Sequence, residues 1–404
     1  MRVLQINAVY GHGSTGSMVK NLHEYLKQNN IESYVACSQG CNDSEPDEFV
    51  IGTANDVKFH SIMARISGLQ GYYSNMVTQN LLRYMDEIKP DIVHLGNLHS
   101  NYVNVIKLLN YLGDKDIATV ITLHDCWFYT GKCTHYTKVG CYKWKFSCGD
   151  CPQLKKDIPT WFFDKTKKML EDKALCYKKI KKLAVIGVSK WITNEVYSSV
   201  LKNANIIKTV YNWVDLDVFR PKKFEADQCR KAMQLQGKFV ILGVSSIWSD
   251  LKGLSTFYEL SRLLKDDEII ILVGHLNEQK MPSNIIHIPA TQSVDDLATY
   301  YSMADVFLQM SPEESFGKVV VEAMACGTPA ISIDSTANAE LIGEGTGFVS
   351  HTTNVDDIYH YITSIKQIGS HKYADTCRDY AKINFMITKQ LNKYLDIYDS
   401  LLNS

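Results

Sequence analysis

The residues best placed to do chemistry are two glutamates, Glu314 and Glu322, in the stretch Ser311-Pro-Glu-Glu-Ser-Phe-Gly-Lys-Val-Val-Val-Glu-Ala-Met-Ala-Cys-Gly-Thr-Pro-Ala330. One apolar run, Asp305–Met310, precedes this stretch, and a second, Ala330–Ile333, closes it. Between them a helix is predicted to start near Phe316 or Gly317 and to stop at Gly327, with Pro329 as the breaker beyond. Glu314 then lies in the loop leading into the helix, and Glu322 inside it. The first N–H groups of a helix have no intrahelical partners and the dipole is positive there, so such a loop suits anions and hydroxyl-rich ligands. A carboxylate beside it can accept hydrogen bonds from sugar hydroxyls. Taken alone, the two glutamates have plainer explanations: Glu314 as a partner of the helix dipole, Glu322 as part of a solvated helix face.

The elements that must position them come in two successive runs of strand and helix signals. In the first, the strand Val3–Ala8 leads to Gly11-His-Gly-Ser-Thr-Gly16 and a helix with Met18, Val19, Leu22, Tyr25 and Leu26 on one face. Gly11, Gly13 and Gly16 have the spacing G-x-G-x-x-G, which lets a backbone turn tightly and approach a phosphate; a plain strand-to-helix turn uses the same glycines. The second strand, Ser33–Cys37, ends in Ser38-Gln-Gly rather than in an acid, which disfavours a nicotinamide dinucleotide. Strands follow at Asp91–Leu95, at Thr119–Leu123, at Leu183–Val188 and at Ile206–Val210, with a helix over Asn101–Leu112. His124 and Asp125 stand at the carboxyl end of one of these strands, where side chains of a parallel sheet face a ligand, although a satisfied structural histidine fits there too. The second run has strands at Phe239–Val244, Ile269–Val273 and Ile285–Ile288, and a helix over Val294–Met303. Two βαβ-rich runs predict an α/β fold of two Rossmann-like domains.

Cys133, Cys141, Cys148 and Cys151, spaced Cys-x7-Cys-x6-Cys-x2-Cys, fall in a stretch (126–152) without clear periodicity. Three readings stand: a structural zinc on four thiolates, reduced packing cysteines, and a redox or disulfide role. Residues 154–182 carry ten lysines against four acids, interleaved with Trp161, Phe162, Phe163 and Leu170. That is either a solvated helix face or a peripheral membrane contact.

Pro312-x-Glu-Ser-Phe-Gly317, followed by Glu322-Ala-Met-Ala-x-Gly-x-Pro329, resembles the signature of the retaining glycosyltransferases of family 4, whose two glutamates are separated by the same seven residues. The resemblance spans essentially the whole chain and is strongest over 303–349. It implies the GT-B architecture, two Rossmann-like domains facing across a cleft. Tyr211-Asn-Trp-Val-Asp215 and Phe219-Arg-Pro221 resemble the family hinge, with Trp213 in place of the usual glycine. The implied division is an acceptor-side domain 1–217 bearing the Cys-rich insertion, a nucleotide-sugar domain 218–384, and a helix 385–404 crossing back to the first domain. The implied reaction moves a sugar from a UDP- or GDP-sugar to a saccharide or lipid-linked saccharide. Glu314, with the amides of Phe316 and Gly317, would hold sugar hydroxyls, Glu322 the ribose hydroxyls, and His124 the donor sugar. Lys252 before Gly253, with the amides near Gly13 and Gly16, would hold the diphosphate; Glu314, His124 and Lys252 form the implied catalytic set. Glu314 as a covalent nucleophile is the minority mechanism. Asp125 would orient His124 or touch the acceptor, and Glu340 would be structural. The family often has an arginine six residues before the lysine; here the position is Ser246, so either one cation does more or another substitutes, with Arg220, Lys190 and Lys318 as the candidates. The base would be read by a loop near Pro289–Gln292. His124-Asp-Cys-Trp and Cys151-Pro-Gln-Leu, around the insertion, resemble the bacterial branch that builds capsular, colanic-acid-like and other surface polysaccharides.

A net charge of −1 argues against a nucleic-acid partner, and no apolar run approaches the length of a membrane span. The expectation is a cytoplasmic enzyme, peripheral at the inner face of the membrane if the basic stretch touches lipid, with its cysteines mainly reduced or metal-bound. No cofactor is expected for catalysis, and no metal is implied as the neutraliser of the diphosphate charge. The rival readings are another enzyme of the same shape, such as a nucleotide-sugar epimerase or a phosphorylase, and a zinc-stabilised scaffold of a polysaccharide assembly complex.

Overall fold

The computed structural model of the protein describes residues 1–277, 281–291 and 293–403. The chain divides into two compact units, Met1–Val210 with Leu391–Ser404, and Tyr211–Gln390.

Unit 1 runs β1 (Arg2–Val9), α1 (Gly13–Gln28), β2 (Glu32–Gln39), β3 (Glu48–Val50), α2 (Ala54–Ser67), α3 (Asn75–Ile88), β4 (Ile92–Leu95), α4 (Val105–Asp114), β5 (Ala118–Leu123), α5 (Thr166–Lys179), β6 (Leu183–Gly187), α6 (Lys190–Val196) and β7 (Ile206–Thr209). Its seven strands are parallel, in the order β3-β2-β1-β4-β5-β6-β7. Every residue of β4, β5 and β6 is buried, as expected for strands covered on both faces. The helix predicted from Asn101 begins later, because Asn104 caps it: its side chain accepts a hydrogen bond from the Lys107 amide, while Asn101 is left-handed. Cys37 and Cys41 form a disulfide, an exception to the reduced or metal-bound state expected for most of the cysteines.

Unit 2 runs α7 (Lys223–Ala232), β8 (Phe239–Ile247), α8 (Leu254–Ser261), β9 (Glu268–His275), β10 (Ile285–Ile288), α9 (Val294–Met303), β11 (Val306–Gln309), α10 (Lys318–Ala325), β12 (Ala330–Ile333), β13 (Gly347–Ser350), α11 (Val355–Ile368) and α12 (Ala374–Phe385). Six parallel strands lie in the order β10-β9-β8-β11-β12-β13. Phe257, Leu260, Ile358, Ile362 and Ile365 from the covering helices pack with Ile241, Ile270, Leu272 and Ile331 of the sheet.

The last helix, α13 (Ile387–Leu402), belongs to unit 1 from Leu391 onward. Tyr394 and Tyr398, one turn apart, meet buried polar groups of the first sheet. The Tyr398 hydroxyl lies 2.7 Å from His94 Nδ1, His94 Nε2 lies 2.7 Å from Thr122 Oγ1, and that oxygen is 3.2 Å from the Tyr394 hydroxyl. A polar chain with every member partnered gives the docking a register that apolar contact alone would not.

In each sheet the winding direction reverses between two neighbouring strands, β1/β4 in unit 1 and β8/β11 in unit 2. Ligands of open α/β sheets bind outside the carboxyl ends of such strands.

Candidate active site

In unit 2 the loops leaving β8 and β11 start side by side, because those strands pair through Val306 with Ile241 and Phe307 with Leu242. The first loop carries Lys252 on a short 3-10 turn, Asp250–Lys252; the second carries Glu314. Lys252 Nζ stands 2.5 Å from Glu314 Oε1. The approach depends on Gly253, left-handed at φ 74°, where an added Cβ would come within 2.4 Å of the Met310 carbonyl oxygen. Glu314 is fixed from its backbone: its amide donates to Thr336 Oγ1 at 2.8 Å, and its carbonyl accepts from the Ala337 amide at 3.2 Å.

Phe316 is buried against Tyr211 and Phe385, with ring centroids 6.0 and 5.8 Å away. Gly317 precedes the first turn of α10 with φ 86°, a left-handed backbone that favours glycine, and Leu341, Asn338 and Gln309 lie 3.3–3.5 Å from where a Cβ would stand. Two of those neighbours bear polar atoms that are buried and unpartnered, Gln309 Nε2 and Asn338 Oδ1. One donor and one acceptor beside the start of a helix can serve a polar ligand or a water. Sequence reasoning missed both; Gln309 is the last residue of β11, and a polar residue closing a buried strand was the available signal.

Glu322 is buried inside α10, not on a solvated face. It accepts a hydrogen bond from the Tyr301 hydroxyl at 3.0 Å, and Lys318 Nζ is 3.5 Å away. Burial pushes its carboxyl above the usual carboxylate range, and Lys318 opposes that shift. Of the three cations considered in place of an arginine at Ser246, Lys318 is the one at the start of α10 beside Glu322; Arg220 is exposed in unit 2, and Lys190 opens α6 in unit 1. Ser246 itself is exposed near the end of β8. Glu340 accepts from the Tyr211 hydroxyl at 3.1 Å. Of the loop expected to read the base, Gln292 lies outside the described residues.

Gly13, Gly16, His124, Asp125 and the four cysteines belong to unit 1. Gly13 opens α1, and its Cβ position is open, with nothing within 4 Å. Gly16 has a different use: an added Cβ would lie 3.1 Å from the Val9 side chain, so it lets α1 pack closely on β1. His124 follows the last residue of β5, and burial pushes its pKa down to about 4. Asp125 accepts from the Trp127 amide at 2.8 Å and pairs with His99, whose Nε2 is 2.8 Å from Oδ2. His99 is a partner that spacing could not show, 26 residues back in the chain.

The histidines make unit 1 acid-sensitive. Burial holds His60 at about 4, His94 at about 3 and His124 at about 4. All three lie below the unfolded value, so the unfolded chain binds more protons, and the stability each contributes above pH about 6.5 is lost as pH falls toward 4. His99, raised by Asp125 against the effect of its burial, works the other way: its contribution is full below the unfolded value and fades as pH rises through the folded one. Burial lowers His23 as well, so with four against one the unfolding free energy of unit 1, read from the urea midpoint, is expected to drop between pH 6.5 and 4.5, by about 1.4 kcal/mol per pH unit for each uncompensated histidine. A flat midpoint over that range would refute the neutral assignment.

Two family descriptions match the chain: Glycosyltransferase Family 4 over residues 15–218, and Glycosyl transferases group 1 over residues 230–383. The chain belongs to glycosyltransferase family 4. N-acetyl-alpha-D-glucosaminyl L-malate synthase of Bacillus anthracis is 28% identical over 54% of this chain, and the match spans only 60% of that enzyme's length. The putative colanic acid biosynthesis glycosyl transferase WcaC of Escherichia coli is 20% identical over 99% of this chain and its own full length. The fold matches the solved Anabaena Alr3699/HepE, whose crystal holds UDP and glucose, with a TM-score of 0.67 and 15% identity, covering 99% of this chain and 100% of the other.

In this family-4 chain the Cys-rich insertion is stapled by a lysine. Lys132, fully buried, donates from Nζ to the carbonyls of Leu154, Asp157 and Ile158 at 3.0, 2.6 and 2.9 Å. The basic stretch is likewise not one solvated face. Lys173 of α5 is buried, donates to the Trp127 carbonyl at 2.6 Å and stands 4.1 Å from that indole's ring centroid, and burial pushes its pKa down to about 7. Tyr177, one turn on, donates to the Phe128 carbonyl. Cys133, Cys141, Cys148 and Cys151 all border one cavity of about 20 Å³. Cys151 shares a hydrogen bond with Cys133, which brings its thiol down to about 7, while burial pushes Cys148 up to about 11. Among the described residues, no group of three or more His, Cys, Asp or Glu side chains is arranged to hold a metal ion.

Proposed function

We propose that this glycosyltransferase moves a sugar from a nucleoside diphosphate sugar to a hydroxyl of a saccharide or lipid-linked saccharide, with retention at the anomeric carbon, in the building of a surface polysaccharide. The observation that carries the donor assignment is the Lys252–Glu314 pair at the β8/β11 reversal, beside the free amides at the start of α10. When the glycosidic bond to the donor breaks, negative charge collects on the leaving diphosphate. A fixed ammonium and unpaired amides stabilise that charge without reorganising. Glu314 holds the ammonium in place; with donor bound, Lys252 turns to the diphosphate and Glu314 accepts from sugar hydroxyls. Glu322, held by Tyr301 and Lys318, accepts from the ribose. No metal enters this scheme. His124 and the amides near Gly13 and Gly16 are the residues assigned to sugar and phosphate from unit 1. The polysaccharide setting is supported by the full-length similarity to the colanic acid relative.

Calorimetric titration with UDP and with GDP tests the donor site. One nucleotide is expected to bind, and Glu322→Ala and Glu322→Gln are expected to weaken it about 10- to 100-fold, the worth of hydrogen bonds to a charged acceptor. Unchanged affinity in both variants would remove the ribose role. Sugar release from the donor that needs no acceptor would turn the reading toward the epimerase class.

A structural zinc on Cys133, Cys141, Cys148 and Cys151 is a separate proposal. Four thiols around one cavity support it, and the absence of a ready ligand group among the described residues weighs against it.

A further inference from the structure

Helix α2 has an inverted surface. His60 and Ala64 are buried on one side, while Phe59, Ile62 and Ile66 are exposed on the other, Phe59 at 59%. Beside its C-terminal end runs a second exposed apolar segment, Trp161-Phe162-Phe163, with Phe162 at 67%. Backbone contacts tie the two together. The Trp161 amide donates to the Arg65 carbonyl at 2.6 Å, and the Phe163 carbonyl oxygen comes so near Gly68 that an added Cβ would sit 2.2 Å from it. Six large exposed apolar side chains therefore lie on two segments that backbone contacts hold side by side. Singly exposed apolar residues are ordinary; a contiguous cluster of aromatic and branched side chains marks a contact surface.

The exposed charges beside the patch are mainly basic. Lys58 and Arg65 lie on the same exposed face of α2, Lys155 donates to the Trp161 carbonyl, and Lys165 Nζ is 5.7 Å from the Phe163 ring centroid. The neighbouring acids are engaged with the protein: Asp56 caps α2, Asp157 binds Thr134, and Asp164 binds Thr166 and the Cys151 amide. A cavity of about 180 Å³, lined by Ser61, Arg65, Gln70, His99, Asn101 and Thr160, shares Ser61 and Arg65 with α2 and reaches Thr160 just before Trp161, and the buried Asn101 Oδ1 that lines it has no partner.

We propose that α2 and the Trp161–Phe163 segment form a docking surface for an anionic lipid bilayer. Aromatic rings enter the interface between headgroups and acyl chains, while lysine and arginine stems lie along them and place their charges at anionic headgroups. Docked in this way, unit 1 sets the polar cavity at the depth of the headgroups. The inference goes beyond the proposed donor chemistry and does not depend on it.

Flotation of the full chain with vesicles tests it, comparing phosphatidylcholine alone with phosphatidylcholine containing phosphatidylglycerol. Binding is expected to the anionic vesicles at low salt, to fall with high salt, and to fall at least about 30-fold with Lys155→Glu/Lys165→Glu, each basic side chain being worth about 1 kcal/mol near such a surface. Trp161→Ser/Phe162→Ser/Phe163→Ser is expected to abolish it, and Phe162→Ser alone, at an exposed position that cannot unfold the unit, to weaken it. Nucleotide binding, measured on the same samples, reports on the donor site separately. Failure to float with anionic vesicles at low salt would overturn the proposal. So would a concentration-dependent dimer that the triple variant abolishes, which would make the patch a contact between copies.

Discussion

Lys252→Met is expected to lower kcat/KM for sugar transfer by about 100- to 1,000-fold, the usual cost of removing one preorganised charge stabiliser from a developing anion. Glu314→Gln should cost a similar factor, through lost contacts to sugar hydroxyls. The double variant decides how the two act. Each is the other's partner at 2.5 Å. Removing Lys252 leaves a partly buried carboxylate uncompensated, and removing Glu314 frees a long side chain to explore solvent. The double variant should therefore lose much less than the product of the single losses. Steady-state transfer on a donor series, with a nucleotide-binding control, makes the measurement. Single variants within about threefold of the unmodified chain would reduce the pair to a surface salt bridge of the kind that contributes little.

Lys132→Met is the second large effect, on stability rather than turnover. The ammonium satisfies three carbonyls of the 154–158 turn from a fully buried position. Methionine fills the space but leaves those acceptors without a donor, so a loss of about 3–5 kcal/mol is expected. The loss should appear as lower thermal and urea midpoints and as proteolysis within 126–160. The same experiment bears on the thiols. If zinc holds the insertion, metal analysis will find about one ion per chain and a chelator will destabilise the unmodified protein as strongly as Lys132→Met does. If the lysine is the staple, chelation will leave the midpoint where it was. A Lys132→Met midpoint within about 1 kcal/mol of the unmodified protein would refute the staple.

The two readings of the basic stretch show how far composition goes. Ten lysines between 154 and 182 looked alike in the chain, yet Lys173 is buried under Trp127, Lys167 and Lys168 pair with acids one turn on, and Lys155 and Lys165 flank exposed aromatics. Periodicity could not separate them, because Trp127, which covers Lys173, comes from the loop after β5. The same holds for Glu322. A glutamate in an amphipathic helix reads as solvated until the fold lays Tyr301 of α9 against it.

What the sequence determined by itself was local: the alternation of strands and helices, the glycines at the turns, and a signature long enough to identify the family. Those features depend on backbone sterics and on hydrophobic period, which act between near neighbours in the chain. Tertiary structure alone decided which distant residues meet. Lys252 and Glu314, 62 residues apart, face each other because β8 and β11 are adjacent where the winding of the sheet reverses. His94 finds Tyr398, 304 residues on, because the last helix packs on the first sheet. Strand order is set by the burial of whole faces and the handedness of crossovers, properties of the assembled sheet that no single stretch of chain carries.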